Sequence, residues 1–339
     1  MSRLHDSRPL NPLALALVVA LAAGAAACST TSAGTAPGGG APEAAAAAGA
    51  APDSLPVAGG DERAVNPALG DVDATLWTQV AAEFRGASIQ AYRLARLRLE
   101  QALEDSSWTA AREQEEPYRS KPPAVILDVD ETVLDNSPYQ ARLIRRAGTY
   151  GPDTWGPWVR EARAPAVPGA LAFTRFAHDR GVRVFYVTNR DADLEEPTAR
   201  NLERLGFPMA DTLDVLLTEG ERPGWDGTKV ARREHVADDH RILLLVGDNL
   251  GDFTDEPQPG RWVRADAVNR PEGRPARAPR VGDRWWGRRW IVVPNPVYGS
   301  WEDAALEGAG EVGPADLLRR KMRMTVPMQP SDGGAGGGG

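Results

Sequence analysis

Three carboxylates stand in the stretch Asp128-Val129-Asp130-Glu131-Thr132, and the apolar residues Ala124 to Leu127 run straight into it. Charge at the end of an apolar run is costly unless something compensates it. A second apolar run ends in Gly247-Asp248-Asn249-Leu250-Gly251-Asp252, a third in Thr188-Asn189-Arg190, and a lysine, Lys229, lies between those two. Hard oxygen donors of this kind suit magnesium, and Asp128, the backbone carbonyl of Asp130 and Asp248 can supply them. Asp128 then serves as nucleophile as well as ligand. A carboxylate that attacks phosphorus gives an aspartyl-phosphate and divides one hard displacement into two easier ones. Asp130 protonates the leaving oxygen and later deprotonates the attacking water. Thr188 and Lys229 hold the phosphoryl oxygens, and Lys229 offsets the crowded negative charge. Asp252 holds a metal-bound water or orients Lys229.

Four short segments rich in β-branched or aromatic residues must position these groups: "AVIL" at 124–127, "VRVFYV" at 182–187, "RILLLV" at 241–246 and "WIVV" at 290–293. Helical or turn-rich stretches separate them, the pattern of crossovers in an α/β fold with a largely parallel sheet. Ligands of such sheets sit beyond the carboxyl ends of the strands, where every polar set named above falls. The fourth strand leads into Pro294-Asn295-Pro296-Val297-Tyr298-Gly299 on the same rim. Residues 73–105 read as N-terminal helices, with Leu76, Val80, Phe84, Ala87, Ala91 and Leu94 recurring at helical spacing as the packing face.

The order DxDxT, Thr, Lys, GDxxxD resembles the haloacid dehalogenase (HAD) superfamily of phosphotransferases. "DVDETVLDNSPYQ", "VFYVTNR", "VGDNLGDF" and "PNPVYGSWE", with the leading "LWTQVAAEFRGASIQAY", resemble the class C acid phosphatases, the lipoprotein e(P4)-like 5′-nucleotidase family. The likeness runs over roughly residues 73–310. It implies a Rossmann-like core with a small helical cap, a magnesium ion, and hydrolysis of phosphomonoesters, often nucleoside 5′-monophosphates. Carried over, Asp128 is the nucleophile and Asp130 the acid/base. Asp128, Asp130 and Asp248 are the metal ligands. Thr188, Asn189 and Lys229 bind phosphate, with Asp252 and Arg190 around them. One departure is Gly251, where family members commonly have another Asp directly before the residue matching Asp252. The cap is expected over about 136–168, a stretch holding Tyr139, Tyr150, Trp155 and Trp158. The resemblance implies aromatic clamping of a nucleobase, by Tyr150 or Trp155 from the cap with Tyr298 from the last loop; such stacking tolerates any base.

The 339 residues carry a net charge of −8, which argues against nucleic acid as the main partner. The lone cysteine, Cys28, excludes an intrachain disulfide and a Cys-based zinc site. Arg3 and Arg8 precede an apolar run over Leu13–Ala23 and small residues leading to Cys28, so residues 1–28 resemble a bacterial lipoprotein signal with Cys28 as the lipidated residue. Residues 29–70 are rich in Ala, Gly and Pro and read as a disordered tether reaching roughly 35 Å. They would hold a phosphatase domain at 71–325 off a membrane surface. Residues 326–339 read as a disordered Gly-rich tail. The segment 258–290 holds nine arginines against three acids, with Trp262, Trp285, Trp286 and Trp290 interleaved. It reads as a solvated loop with tryptophans packing under it, against the alternative of an anionic-surface patch. Two other functions are weighed. A haloalkanoic-acid dehalogenase has no need of a second carboxylate at Asp130, and a surface lipoprotein binding a small ligand such as haem has no need of the whole catalytic set. Neither an RHG nor a GNH triplet, signatures of other phosphatase classes, occurs.

Overall fold

The computed structural model describes residues 67–210, 212–254, 284–305 and 317–321. The signal segment with Cys28, nearly all of the tether, the tail from 326 and most of the Arg/Trp-rich segment lie outside the described residues. The described chain starts in a 3-10 turn, Pro67–Asp71, whose Ala68 is buried, so the last four residues of the expected tether belong to folded structure.

Five parallel strands form one sheet in the order β3-β2-β1-β4-β5. They are β1 (Pro123–Leu127), β2 (Arg183–Asp191), β3 (Leu216–Glu219), β4 (Arg241–Gly247) and β5 (Trp290–Val292). The four segments read as strands all pair. β3, "LLTE", is the addition. Side chains alternate between the two faces. Val125 and Leu127 of β1 join one core with Val184, Tyr186, Leu244 and Val246, while Ala124 and Ile126 join a second core with Phe185, Leu217, Ile242 and Leu245. A sheet buried on both faces needs apolar residues at successive positions, and that is why these runs are continuous. The register of β1 on β4 shifts between Ala124 and Val125, which face Ile242 and Leu244. The extra residue, Leu243, is a bulge that brings the two strands back into phase and sets Asp128 beside the end of β4.

Helices α1 (Val72–Val80) and α2 (Ala82–Glu104) precede the sheet. α2 lies on the first core, against α5 (Ala170–His178), β4 and β5. Its packing face agrees with the sequence reading in part: Phe84 is buried and Ala91 and Leu94 are partly buried against the core, but the fully buried seam is Phe84, Ser88, Tyr92, Ala95, Leu99 and Ala102, and Leu76 and Val80 of α1 are 54% and 69% exposed. Two polar residues hide that seam in the sequence. Ser88 satisfies itself by donating to the Phe84 carbonyl at 2.9 Å, and the Tyr92 hydroxyl donates to the Thr132 carbonyl at 2.6 Å, tying α2 to the DxDxT loop.

Between β1 and β2 the chain forms α3 (Ser137–Arg146) and α4 (Pro152–Arg160), within the segment expected as a cap, before α5. Each of these two helices has Pro in its first turn, where the missing N–H is harmless. α6 (Glu195–Leu205) follows β2 and ends on Gly206 at φ 81°, and α7 (Val230–Asp239) leads into β4. A short α8 (Ser300–Ala305) follows β5. The described tryptophans of the Arg/Trp-rich segment pack inward: Trp290 is fully buried and donates to the Ala110 carbonyl at 2.9 Å, with Trp285 and Trp286 against it.

Candidate active site

Asp128 leaves β1 at its carboxyl end, its N–H donating to the Val246 carbonyl at 3.0 Å. Asp248 leaves the adjacent β4, and Asp252 returns through a 3-10 turn over Leu250–Asp252. Carboxylate oxygens of the three aspartates lie within 4.8 Å of one another. Gly247 permits this approach: a Cβ there would lie 2.2 Å from Asp252 Oδ2. Asp252 is steadied by the Asn249 N–H, which donates to its Oδ2 at 2.9 Å.

Lys229 enters the cluster from the start of α7, where it takes a left-handed φ of 61°. Its ammonium donates to Asp128 Oδ1 at 2.5 Å and to Asp252 Oδ1 at 2.6 Å, and all three side chains are buried. Burial pulls the Lys229 ammonium down, but Asp128 and Asp252 outweigh it and hold its pKa above the ordinary value. Burial pushes the Asp128 carboxyl up to about 6, Lys229 working against the shift while Asp252 and Asp130 add to it. Asp248 is also pushed well up, by burial and then by Asp252 and Asp128. Its oxygens accept from neutral donors, Thr132 Oγ1 and Asn295 Nδ2, both at 2.9 Å. Among the described residues no cation pairs with it.

Asp130 turns the other way. Arg190, 2% exposed, donates to Asp130 Oδ1 through Nη2 at 2.8 Å and Nε at 3.1 Å. Asn136 Nδ2 donates to the same oxygen at 2.8 Å, and Thr188 Oγ1 approaches Oδ2 at 3.4 Å. Asn136 is fully buried and held in turn by the Trp158 indole N–H, at 2.8 Å from its Oδ1. Glu131, at φ 57°, accepts from the Asn136 N–H at 2.9 Å and from the Tyr298 hydroxyl. Burial, then Asp130 and Asp248, push the Glu131 carboxyl well up. The last loop is thus tied to the site twice, through Tyr298 on Glu131 and Asn295 on Asp248.

The structure therefore brings Asp128, Asp130, Asp248, Asp252, Lys229, Thr188 and Arg190 to one rim. Asn189 is exposed and both ends of its amide are engaged, Nδ2 donating to the Gly227 carbonyl at 2.8 Å and Oδ1 accepting from Arg232 at 2.7 Å. Trp155 packs edge-on to Tyr139 at 5.2 Å between centroids, beside Tyr150, and the Arg190 guanidinium lies 5.4 Å from its ring. Tyr150 is 69% exposed. Sequence reasoning missed Thr132, Asn136, Asn295 and the paired buried arginines Arg232 and Arg233. Thr132 and Asn136 lie in DVDETVLDNSPYQ and Asn295 in PNPVYGSWE, so those motifs could have pointed to them; Arg232 and Arg233 lie in no quoted motif.

The model of the HAD superfamily, subfamily IIIB (acid phosphatase), matches residues 70–301. The chain belongs to that family, one of phosphomonoester hydrolases. Among solved structures it is similar to the class C acid phosphatase from Bacillus anthracis, at 32% identity and a TM-score of 0.66, covering 78% of this chain and 100% of that one. The same enzyme solved with tungstate bound matches at 31% identity and a TM-score of 0.65. Two curated relatives are the stem 31 kDa glycoprotein of Glycine max, 27% identical over 51% of this chain and 58% of its own length, and the class B acid phosphatase of Morganella morganii, 26% identical over 43% and 63%. The chain spans less than two thirds of each of these two.

Proposed function

We propose that this protein is a magnesium-dependent acid phosphatase that cleaves phosphomonoesters, nucleoside 5′-monophosphates among them, through an aspartyl-phosphate on Asp128. The observation that carries this is the division of labour between two carboxylates two residues apart: Asp128 faces Lys229 and the carboxylate cluster, while Asp130 faces Arg190, Asn136 and Thr188. Asp128 is the nucleophile, held by Lys229. Asp130 delivers a proton to the leaving oxygen and takes one from water in the second step, its orientation set by Arg190 and Asn136. Thr188 and Lys229 receive the phosphoryl oxygens. That a similar class C enzyme was solved with tungstate, a tetrahedral oxyanion of phosphate's shape, fits this use of the rim.

The donor set fits magnesium. Asp128 and Asp248, with the Asp130 carbonyl, would hold it, and Asp252 lies in the same cluster. These are hard oxygens, and Asp248 is a carboxylate pushed up by burial and then by Asp252 and Asp128, with no cationic partner among the described residues. When bound, the ion would neutralise charge on the carboxylates and on the phosphoryl oxygens. A leaving nucleoside would stack on Tyr150, Trp155 and Tyr298: Tyr298 donates to Glu131, Trp155 lies by Arg190, which holds Asp130, and Tyr150 lies beside Trp155. The N-terminal signal pattern ending at Cys28 supports export and a lipid anchor; no helix among the described residues is long and apolar enough to cross a membrane. A family of phosphatases speaks against the non-catalytic, haem-type binding reading.

Asp130→Asn tests the division of labour. Turnover of a nucleoside monophosphate, whose alkoxide must be protonated to leave, should fall by about 100-fold or more. With p-nitrophenyl phosphate the first step needs little acid help, so stopped flow should show a burst of p-nitrophenol before slow turnover. No burst, with equal losses on both substrates, would contradict the assignment.

A further inference from the structure

Helix α7 carries consecutive arginines, Arg232 and Arg233, in its first turn, and both are 0% exposed. Their charges are balanced differently. Arg233 pairs with Glu113, Nε to Oε1 at 2.8 Å, and its Nη1 approaches the carbonyls of Gly251 and Asp252 at 3.4 Å. Arg232 makes no direct salt bridge among the described residues; burial lowers its pKa, and Glu219, Asp128 and Asp226 favour its charge from further away. Its Nη1 donates to the Thr188 carbonyl, and its Nη2 donates to Asn189 Oδ1 at 2.7 Å and to the Asp226 carbonyl at 2.5 Å. Its Nε is buried without an acceptor.

A guanidinium taken out of water without a counter-charge is costly. The acceptors it does have come from two separate places. Thr188 and Asn189 belong to the end of β2, and Asp226 belongs to the turn that delivers Lys229. The same two places are joined again by Asn189 Nδ2 on the Gly227 carbonyl at 2.8 Å. The turn itself is closed by Asp226 Oδ1, which accepts from the Thr228 N–H at 2.9 Å and hydroxyl at 2.6 Å. Arg232 thus lies beneath both groups assigned to the phosphoryl oxygens. A planar fork can hold carbonyls of two loops at once, which a lysine ammonium cannot do with fixed geometry.

We propose that Arg232 is a positioning residue that fixes Thr188 against Lys229 for a tetrahedral phosphoryl group, and that its charge, which no direct salt bridge meets among the described residues, is further balanced by the phosphate dianion when substrate or product binds. The inference rests on the phosphatase reading above.

The test uses the full chain with magnesium, and inorganic phosphate as the inhibitor. In Arg232→Gln the inhibition constant for phosphate should rise about 10- to 100-fold, the worth of a charge-assisted contact. The magnesium concentration for half-activity should stay unchanged, because the carboxylates are untouched. Arg232→Lys, which keeps the charge and loses the fork, should fall between Gln and wild type. Thr228→Ala, at an exposed position, loosens the turn whose Asp226 carbonyl Arg232 holds, so it should shift phosphate inhibition the same way by less, and it decides the matter if the buried substitutions do not fold. Unchanged phosphate inhibition in the folded variants overturns the inference, as does a magnesium requirement that shifts by the same factor. Wild-type protein that neither hydrolyses phosphoesters nor binds phosphate overturns the phosphatase reading, and this inference with it.

Discussion

Replacing Lys229 by Met keeps most of the side-chain volume and removes the one charge that holds two buried carboxylates together. The ammonium lies 2.5 Å from Asp128 and 2.6 Å from Asp252, with the Lys229 side chain 8% exposed. Breaking a buried pair by deleting one partner costs about 3–5 kcal/mol. Here two carboxylates are left facing each other and Asp248, so the upper end applies. In a domain of this size each kcal/mol lowers the melting temperature by about 2–4 °C, giving a loss of about 10–20 °C in EDTA. Magnesium should return part of it, about 2.7 kcal/mol at a hundred times its dissociation constant. Asp248→Asn should behave in the opposite sense. Its carboxyl is pushed up by burial, Asp252 and Asp128, so removing the charge relieves repulsion. That variant should melt above wild type in EDTA and gain little from magnesium. Calorimetry of both variants and wild type, with EDTA and with magnesium at neutral pH, is the assay. A Lys229→Met protein melting within about 2 °C of wild type in EDTA would refute the reasoning. So would an Asp248→Asn protein that magnesium stabilises as strongly as wild type.

Two further outcomes follow from single contacts. Gly247→Ala sets a Cβ 2.2 Å from Asp252 Oδ2 and 2.5 Å from Asp252 Cβ, so Asp252 must move off Lys229; we expect a loss of about 1–3 kcal/mol by chemical denaturation together with reduced activity, and a fully active, equally stable variant would contradict the packing. Asp214 has no part in the catalytic set, and burial, then Glu221 and Glu195, push its carboxyl from 3.8 up to about 6 despite Arg222 at 3.5 Å. A raised carboxyl binds its proton more tightly in the folded state, so the stability it contributes is complete below pH 3.8 and is lost as the pH rises through about 6. Asp214→Asn should therefore stabilise the protein at pH 7.5, by about 1 kcal/mol after discounting for its partial exposure, and should give no gain at pH 4. An equal gain at both pH values would reverse that reading.

The strands that carry the catalytic groups were legible because a sheet covered on both faces demands continuous apolar runs, and each run ends on the polar residues it serves. β3 escaped notice: four residues, of which Thr218 and Glu219 are polar, give too little pattern. The seam of α2 was read only in part: Phe84, Ala91 and Leu94 pack on the core, but Ser88 and Tyr92 at its centre carry hydroxyls, which are satisfied by hydrogen bonds the sequence does not display. Asp128, Asp130, Asp248 and Asp252 announced themselves by spacing. The residues that aim them did not. Asn136 reaches Asp130 from six positions on, Asn295 reaches Asp248 from the last loop, and Arg232 reaches Thr188 from α7. Asn136 and Asn295 stand inside quoted motifs, but which carboxylate each one holds is chosen by the tertiary fold; Arg232 stands in no such motif. The roles of the aromatic residues came from family resemblance; the contacts of Trp155 and Tyr298 with the groups around Asp130 came only from the structure.

The central claim is that Asp128 attacks phosphorus beside a divalent metal ion. The most direct test is phosphate release from nucleoside monophosphates and p-nitrophenyl phosphate, with magnesium and with EDTA, by the wild type and by Asp128→Asn. Release that needs magnesium and disappears in Asp128→Asn is the expected result. Release that persists at wild-type rate in the folded Asp128→Asn protein would contradict it.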